Sequence, residues 1–301
     1  MHVLVTGGTG FIGRALCAAL LTRAHRVSVL TRDPAAARRL LPGVEVIGAL
    51  AELRDDRPDG IVNLAGQNLA SGRWTAARKQ AFVDSRVGGT RELIRWLHSG
   101  RLPQVLVSGS AIGWYGARGD EALDEQAAAG SEAEFSVSLC RAWEAEAAAA
   151  QALGVRTCLL RTGIVLERDG GSLQQMLPPF RLGLGGPIGS GQQWMSWIHR
   201  ADLVGMIVWL LETPAASGPY NGTAPQPVRN REFVQALGRA LHRPARVPMP
   251  GLALRLLIGE MADIILSGQR VLPMRARAQG YTFRHPDLDS ALAAILSEPA
   301  A

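Results

Sequence analysis

Residues 1–14 read MHVLVTGGTGFIGR, an apolar run that turns through glycines and continues as a helical pattern. Gly7, Gly10 and Gly13 recur every third residue, directly after the strand-like start. Glycines at this spacing permit a tight corner, a close approach of the backbone to a pyrophosphate, and close packing of the helix on the strand. The first N–H groups of that helix then point at the phosphates. We predict a nucleotide cofactor on this turn; the alternative is a turn with a structural role alone.

Strand-like and helical segments alternate after this turn. The predicted strands cover residues 25–31, 44–47, 60–65, 104–108 and 155–160, and the predicted helices cover residues 75–97 and 132–153. This alternation favours an α/β fold in which helices flank a Rossmann-type, doubly wound parallel sheet.

We predict two domains. Residues 1–165 form the nucleotide-binding Rossmann domain, which residues of about 196–228 complete. Residues 166–195 and 229–301 form a smaller, mainly helical domain on the substrate side. The elements predicted within its second part are a helix (230–241), a proline-rich turn (244–250) and an apolar helix (252–266).

Composition limits the class of protein. The chain has 301 residues, of which 47% are hydrophobic, as expected for a soluble α/β protein. Its apolar stretches are too short to span a membrane, and the start lacks the features of a secretory signal, so we expect a cytoplasmic protein. The three cysteines are odd in number and lack metal-ligand spacing, so we expect free core thiols and no metal.

The basic balance of the chain does not indicate a nucleic-acid partner. The net charge is +6, and Lys79 is the sole lysine among 32 basic residues. The arginines are scattered rather than arranged along one face, which is more typical of a coding preference than of a binding surface. We expect neither a nucleic acid nor a membrane as a partner.

The end of the second predicted strand, Thr31-Arg32-Asp33, bears on the choice of cofactor. An acidic residue here typically holds the ribose 2′-hydroxyl of NAD, whereas an arginine accommodates the 2′-phosphate of NADP. Asp33 directly precedes Pro34, which favours a helix N-cap and leaves Arg32 for the phosphate. We therefore predict NADP(H); in the alternative, Arg32 is a solvated loop residue.

Several motifs together resemble a known family. They are TGGTGFIG (6–13), NLAG (63–66), SGS (108–110) with YG (115–116), LRTG (160–163) and WIHRADL (197–203). These resemble the extended short-chain dehydrogenase/reductase superfamily. Longer stretches are similar to one atypical, epimerase-like family within it, often described as NAD-dependent epimerase/dehydratases or cell-division inhibitors, with a C-terminal domain of unknown function. Those stretches are 72–86, 140–144, 178–191 and 275–292.

The resemblance implies a cofactor site. The positions implied are Gly7, Thr9, Gly10, Phe11, Ile12 and Gly13 at the pyrophosphate, Thr31 and Arg32 at the 2′-phosphate, Leu64, Ala65 and Gly66 beside the adenine ribose, Arg86 reaching toward the cofactor, and Gly163 and Ile164 at the nicotinamide. For residues 63–66, the alternative is a strand end that simply needs a glycine.

One departure from the superfamily is clear from the sequence. Its members usually move the hydroxyl proton through a tyrosine whose pKa is lowered by a lysine four residues later on the same helix. None of Tyr115, Tyr220 and Tyr281 is followed by a lysine at that spacing, and Lys79 belongs to another predicted helix. The tyrosine-lysine pair is therefore absent.

Two classes of function remain. In the first, the protein is an NADP(H)-dependent oxidoreductase or epimerase in which Ser110 orients a substrate oxygen. Tyr115, a bound water, or His199 titrating near pH 6.5 then moves the proton. In the second, it is a non-catalytic, redox-responsive NADP(H)-binding module. Each of the three residues also has a structural interpretation: Ser110 as a strand end, Tyr115 as packing and His199 as a hydrogen-bonded core histidine.

The substrate side is less informative. The glycine-rich segment 183–191 predicts either a lid over the site or a tight crossover between elements. No paired charges of the kind that recognise a sugar nucleotide are present there. We expect an unidentified small-molecule substrate, and the sequence leaves a homodimer open.

Overall fold

The computed structural model describes residues 1–53, 55–69 and 72–297. Its strands are β1 (His2–Thr6), β2 (Arg26–Leu30), β3 (Glu45–Ile47), β4 (Gly60–Asn63), β5 (Val105–Ala111), β6 (Ala122–Leu123), β7 (Arg156–Thr162), β8 (Ile164–Glu167), β9 (Trp194–Met195), β10 (Trp197–His199), β11 (Gly218–Gly222), β12 (Val228–Arg229) and β13 (Arg270–Val271). Its helices are α1 (Phe11–Thr22), α2 (Pro34–Leu40), α3 (Ala76–Val83), α4 (Gly89–Leu97), α5 (Phe135–Ala148), α6 (Gly171–Arg181), α7 (Arg200–Glu212), α8 (Asn230–Ala240), α9 (Gly251–Ile258), α10 (Met261–Ser267), α11 (Met274–Ala278) and α12 (Leu288–Ser297).

The centre of the fold is a seven-stranded sheet in the order β11-β7-β5-β4-β1-β2-β3. Every neighbouring pair of its strands is parallel. Thr6 is paired with Leu30 of β2 on one side and with Asn63 of β4 on the other, so the carboxyl ends of these strands meet at one edge. The order of strands reverses between β1 and β4, and ligands bind at such switch points in open α/β sheets. The predicted doubly wound parallel sheet is confirmed.

Strand β1 shows why both faces of the sheet are covered. Its alternate side chains Val3 and Val5 pack in one core with residues of α1 and α7. Leu4 points the other way, into a second core that includes Leu93 and Leu97 of α4. A strand buried on both faces requires a continuous apolar run, which is what residues 3–5 supply.

A separate core lies in the later part of the chain. It joins α6, α8 and α12 around the fully buried Trp197, with Phe180, Phe233 and Leu292 among its members. The three smaller strand pairs, β10 with β8, β12 with β9 and β13 with β6, also use residues beyond the main sheet. The division into two domains stays a prediction, and residues 298–301 of its second part lie outside the described residues.

The structure divides two of the predicted helices. The segment predicted as one helix over 75–97 is α3, a π-helical turn at Asp84–Gly88, and α4. The apolar segment predicted as one helix over 252–266 breaks at Gly259, which has a φ of +65°. That left-handed conformation suits glycine and ends α9 before α10 begins.

Two smaller predictions are confirmed. Cys17, Cys140 and Cys158 are all buried and free of disulfides. Asp33 caps α2, because its Oδ1 accepts a hydrogen bond from the backbone N–H of Ala36 at 2.9 Å. No helix of the described chain is long and apolar enough to cross a membrane.

Candidate functional site

The glycine turn between β1 and α1 forms the floor of the candidate site. Gly7 has a φ of +72°, and a Cβ there would lie 2.7 Å from the carbonyl carbon of Leu64. A Cβ on Gly13 would lie 2.2 Å from the carbonyl oxygen of Gly7. Both glycines are therefore required for the turn to pack against β4 and against its own helix.

Gly10 differs from these two glycines. It is exposed, and a Cβ there would meet only the Gly7 carbonyl oxygen, at 3.1 Å. It is also the N-cap of α1 and provides no side-chain acceptor for the helix N–H groups. The first turn, which begins at Phe11 and Ile12, therefore presents uncapped donors and the positive end of the helix dipole to the cleft. This is a cradle for an anion that a side chain at Gly10 would fill.

The loop after β2 holds the residues expected at the 2′-phosphate. Thr31 Oγ1 accepts a hydrogen bond from the Asp33 backbone N–H at 3.3 Å, and Asp33 in turn caps α2. Arg32 is exposed and makes no ion pair with the described residues. The acidic side chain of this loop is thus engaged by its own helix, and Arg32 is available to a ligand.

The segment after β4 lies against an arginine from the π-helical turn. A Cβ on Gly66 would lie 2.9 Å from Cζ of Arg86, so Gly66 is needed for the guanidinium to lie along this backbone. Arg86 Nη2 donates to the Gln67 carbonyl oxygen at 2.9 Å. Its Nη1 is buried without a hydrogen-bond partner, and burial lowers the pKa of the group. A buried donor without an acceptor fits a site that a polar ligand completes.

The backbone that follows β4 is fixed by hydrogen bonds to Thr6, the last residue of β1. Ala65 donates its backbone N–H to Thr6 Oγ1 at 3.2 Å, and Leu64 donates its own to the Thr6 carbonyl oxygen at 3.1 Å. Thr6 Oγ1 donates in turn to Asn63 at 2.7 Å. The backbone of 64–66 is therefore held in place beside the glycine turn.

Gly163 and Ile164 lie where β7 ends and β8 begins. Ile164 donates its backbone N–H to the Ser196 carbonyl oxygen at 2.8 Å. A Cβ on Gly163 would lie 2.3 Å from that same oxygen, so glycine is required for this contact. Both residues are at the carboxyl edge of the sheet, the edge that also carries the glycine turn.

Ser110, near the end of β5, is buried and belongs to a charged network. Its Oγ donates to Glu144 Oε1 at 2.6 Å. Arg161 holds the same carboxylate with two hydrogen bonds of 2.9 Å, one from Nε and one from Nη2. Because the single hydroxyl proton of Ser110 is directed at Glu144, its lone pairs are left to accept a hydrogen bond.

Tyr115 lies inside the packed wall of the site. The side chain is fully buried, and its hydroxyl donates to Asn221 Oδ1 at 2.7 Å. The hydroxyl oxygen of Tyr115 accepts a hydrogen bond from Arg161 Nη1 at 3.0 Å. Burial raises the pKa of Tyr115 above its ordinary value. This geometry favours the structural interpretation of Tyr115 over a role in proton transfer.

His199 caps the start of a helix. Its Nδ1 accepts a hydrogen bond from the backbone N–H of Ala201 at 3.0 Å, at the start of α7. Its ring stacks on that of His285 with 4.1 Å between centroids. Burial lowers the pKa of His199 to about 4, so the expectation that it titrates near 6.5 is wrong. The ring stays neutral at physiological pH and favours the structural interpretation.

The helix that usually carries the tyrosine-lysine pair presents small residues instead. A Cβ on Gly113 would lie 3.1 Å from Ser136 Cβ and 3.6 Å from Cys140 Sγ, so α5 packs closely on the turn after β5. Burial raises the pKa of Cys140 to about 12. Neither the Ser136 hydroxyl nor the Cys140 thiol is a base or a nucleophile at neutral pH.

Glu144 and Arg161 were not selected from the sequence. Both lie in stretches that carry the family resemblance, CRAWE and LRTG. The available signal was a charged residue inside each apolar pattern, since buried charges in proteins are paired. The pairing itself links residues 17 positions apart on different elements, so no local spacing reveals it.

The glycine-rich segment 183–191 is tied down by the chain that follows α8. Gly185 accepts a hydrogen bond from the Val247 N–H at 3.1 Å, and Gly189 donates to the Met249 carbonyl oxygen at 2.8 Å. A Cβ on Gly186 would lie 1.8 Å from the Val247 carbonyl oxygen. The glycines thus permit close backbone packing, which favours the crossover interpretation over a lid.

Within the described chain, one group of side chains has the spacing of metal ligands. His2, Glu45 and Asp56 bring ligand atoms within 4.8 Å of one another at the opposite edge of the sheet. Arg26 pairs with both carboxylates, and Glu45 also accepts from Ser28. These carboxylates are satisfied by a guanidinium, and the cluster has no connection to the candidate site.

Comparisons with known proteins agree with this geometry. Residues 3–222 match the NAD dependent epimerase/dehydratase family, and residues 249–295 match a domain of unknown function, DUF1731. The chain is 40% identical to the chloroplastic SDR39U1 homolog of Arabidopsis thaliana, covering 98% of this chain and 87% of that protein. It is 36% identical to the epimerase family protein YfhF of Bacillus subtilis, with 99% of each chain covered.

Solved structures give the same result. The human epimerase family protein SDR39U1, crystallised with NADPH, superposes with a TM-score of 0.89 at 36% identity, covering 99% of this chain and 100% of that one. The UDP-glucose 4-epimerase of Thermus thermophilus, in complex with NAD, has a TM-score of 0.77 at 19% identity, with 98% of each chain covered, and shows the shared fold alone. The chain is a member of the epimerase family of extended short-chain dehydrogenases/reductases and carries the DUF1731 domain at its C-terminal end.

Proposed function

We propose that the protein is an NADP(H)-dependent oxidoreductase or epimerase that acts on a small molecule without a tyrosine-lysine pair. The observation that carries this proposal is the open cradle at Gly10, where the uncapped start of α1 meets the switch point of the sheet. The NADPH-bound human relative supports the same cofactor. A cytoplasmic location stays a prediction, because one relative is named chloroplastic.

Each part of the cofactor has proposed partners among the residues of this chain. The N–H groups at Phe11 and Ile12 bind the pyrophosphate, and the buried Nη1 of Arg86 donates to the cofactor beside Gly66. Arg32 and Thr31 bind the 2′-phosphate. Gly163 and Ile164 would hold the nicotinamide, which would supply or accept a hydride when bound. NADP(H) is preferred because Asp33 is committed to capping α2.

The proton follows a route through Ser110. A substrate hydroxyl donates to a lone pair of Ser110 Oγ, and the proton that Ser110 already shares with Glu144 moves to that carboxylate. Substrate oxidation thus releases one hydride to the cofactor and one proton to Glu144, and reduction reverses both transfers. Arg161 holds the Glu144 carboxylate in place with two hydrogen bonds, which positions it as the acceptor at the end of the relay.

A non-catalytic NADP(H)-binding module is the second candidate. One observation favours it: Tyr115, Cys140 and His199 are all buried and neutral at physiological pH. None of these three side chains is therefore a general base at that pH. In this case the cofactor binds tightly but no carbonyl or alcohol is turned over.

Turnover separates the two candidates. We expect purified protein to oxidise NADPH with at least one member of a panel of aldehydes, ketones and keto sugars. Ser110→Ala should lower the rate by about a hundredfold or more, because it removes the relay, and should leave NADPH affinity unchanged. Ser217→Ala is the matched control, because Ser217 is exposed and lies directly before β11. Tight NADPH binding without turnover on any compound would favour the binding module.

A further inference from the structure

One face of the molecule exposes an unusual number of large apolar side chains. We call it the apolar face, and its residues are Leu182, Leu184, Val247, Met249, Leu252, Leu256 and Leu257. Leu182 is 75% exposed and Leu256 is 70% exposed. Single exposed leucines are common, but a cluster of this kind marks an interaction surface.

The apolar face is continuous because two chain segments are joined by backbone hydrogen bonds. The N–H of Val247 donates to the Gly185 carbonyl oxygen at 3.1 Å, and that of Met249 donates to the Pro187 carbonyl oxygen at 2.9 Å. Helix α9 follows directly, and none of its residues is buried. A helix with the sequence GLALRLLI and no buried residue requires another surface for its leucines.

The surroundings of the apolar face are basic. No acidic residue occurs between Glu232 and Glu260, or between Asp169 and Asp202, and these two stretches supply the whole face. A groove of about 710 Å³ opens beside it, and its lining includes Arg239, His242, Arg243 and Arg246. Positive charge and exposed leucines therefore share one side of the molecule.

Counterions neutralise only part of this charge. Arg239 pairs with Asp289 at 2.9 Å, and Arg255 of α9 pairs with Asp263 at 3.0 Å. Arg243 and Arg246 form no ion pair within the described part of the chain. Arg246 immediately precedes Val247 and Arg243 lies four residues before it, so unneutralised guanidinium groups border the apolar face.

We propose that the apolar face and its basic groove dock on the surface of an anionic phospholipid bilayer. The leucines of α9 enter the boundary between headgroups and acyl chains, and Arg243 and Arg246 lie among the lipid phosphates. Leucines beside unneutralised arginines are the composition that binds at such an interface. The expectation of no membrane partner rested on the lack of a span, and binding at the surface requires none.

Charge disfavours a second copy of the chain as the occupant. A two-fold interface brings the same patch of both subunits together, so Arg243 and Arg246 of both copies would be enclosed in one interface. The apolar face offers no acidic residue to compensate them. An anionic lipid surface supplies this missing charge, and a nucleic acid would leave the leucines in water.

Flotation with vesicles tests the proposal on the full chain. We expect binding to vesicles of phosphatidylcholine mixed with phosphatidylglycerol, and at least tenfold weaker binding to phosphatidylcholine alone. Arg243→Gln/Arg246→Gln should weaken binding roughly fivefold for each arginine. Leu252→Ser/Leu256→Ser should also weaken it by tenfold or more. Arg39→Gln/Leu40→Ser, which changes exposed residues of α2, is the matched control and should bind as the parent does.

Size-exclusion chromatography with light scattering measures the oligomeric state and so tests the competing explanation, in which a second copy covers the apolar face. A concentration-dependent dimer that Leu252→Ser/Leu256→Ser disperses would show that a second copy covers the apolar face, and would overturn the proposal. Failure of the parent protein to float with the anionic vesicles would overturn it as well. NADPH binding by each variant, measured in parallel, confirms that a loss of flotation does not come from unfolding.

Discussion

At the scale of single residues, we propose that Arg32 selects NADP(H) over NAD(H). It follows β2 at the carboxyl edge of the sheet, next to a carboxylate that is already used as a helix cap. A charge-assisted hydrogen bond to phosphate is worth about 1.5 to 3 kcal/mol, or roughly tenfold to a hundredfold in affinity. Only NADP(H) carries a 2′-phosphate that can form this contact.

We predict that Arg32→Ala lowers the affinity for NADPH by roughly tenfold to a hundredfold and leaves the affinity for NADH unchanged. Calorimetric titration with both cofactors measures the two effects. Arg39→Ala, which removes an exposed arginine from α2, is the control and should change neither affinity. Equal affinities of the parent protein for NADPH and NADH would contradict the assignment.

His199 makes stability depend on pH. Burial lowers its pKa to about 4, below the ordinary value of 6.5, so the unfolded chain binds the proton more readily than the folded one. Stability is therefore complete above pH 6.5 and is lost as the pH falls toward 4. Between pH 7 and pH 5 the linkage amounts to about 2 kcal/mol.

We predict that His199→Asn, which can still cap α7, reduces this pH dependence. Urea denaturation at pH 7 and pH 5 measures the free energy of unfolding of both proteins. The parent should lose about 2 kcal/mol more than the variant on acidification. His2, whose pKa burial also lowers, contributes equally to both and cancels in the difference. The same loss in both proteins would mean that His199 is protonated as easily in the folded state.

At the scale of elements, the Glu144–Arg161 pair joins α5 to β7 beneath the site. Both side chains are almost completely buried, and Trp114 covers the guanidinium with its ring centroid 4.0 Å from Cζ. Breaking a buried pair leaves an uncompensated charge, which costs far more than the net contribution of the pair. The pair also directs the Ser110 hydroxyl, so it connects packing to the proposed proton route.

We predict that Glu144→Gln destabilises the fold by about 3 to 5 kcal/mol, since it leaves the Arg161 guanidinium buried without a carboxylate. Chemical denaturation measures this change. Glu144→Gln/Arg161→Met should recover much of the stability, because no isolated charge remains, while turnover stays low. A double variant no more stable than Glu144→Gln alone would indicate that the two residues act independently.

The segment 75–97 shows where the sequence pattern and the observed structure differ. The apolar period over 75–97 correctly predicts helix, yet the chain inserts a π-helical turn at Asp84–Gly88. π-helical turns occur frequently at functional sites, and this one carries Arg86 to the backbone of Gly66. The sequence indicated Arg86 through resemblance, but not the irregular turn that directs it.

For the molecule as a whole, the cofactor is expected to stabilise the fold. Ligand that binds only the native state adds about 2.7 kcal/mol at a concentration of a hundred times Kd. The glycine turn offers a way to separate this effect from folding itself, because a Cβ on Gly10 would meet only the Gly7 carbonyl oxygen, at 3.1 Å, whereas one on Gly13 would clash with it.

We predict that Gly10→Val keeps a melting temperature close to that of the parent without cofactor but loses the increase caused by NADPH. Gly13→Ala should instead lower the melting temperature without any ligand, since its Cβ would lie 2.2 Å from the Gly7 carbonyl oxygen. Differential scanning fluorimetry with and without NADPH distinguishes the two. A normal NADPH-induced increase in Gly10→Val would place the pyrophosphate elsewhere.

Local sequence patterns were sufficient for the fold class, and they supply the proposed cofactor site. Alternating apolar segments predict a parallel sheet because each strand must be buried on both faces. The glycines of residues 7–13, the capping role of Asp33 and the lack of a tyrosine-lysine pair can all be read from neighbouring residues. Each of these depends on spacings of a few positions, which the chain shows directly.

Tertiary packing determined the hydrogen-bond partners and the burial of the candidate catalytic residues. Tyr115 bonds Asn221, 106 positions away, and Ser110 bonds Glu144, 34 positions away. His199 is neutral because α7 and His285 enclose it. Burial and long-range partners set these protonation states and hydrogen-bond directions. Such contacts form only when the elements pack together, so they cannot be predicted from hydrophobic periodicity or from a short sequence motif.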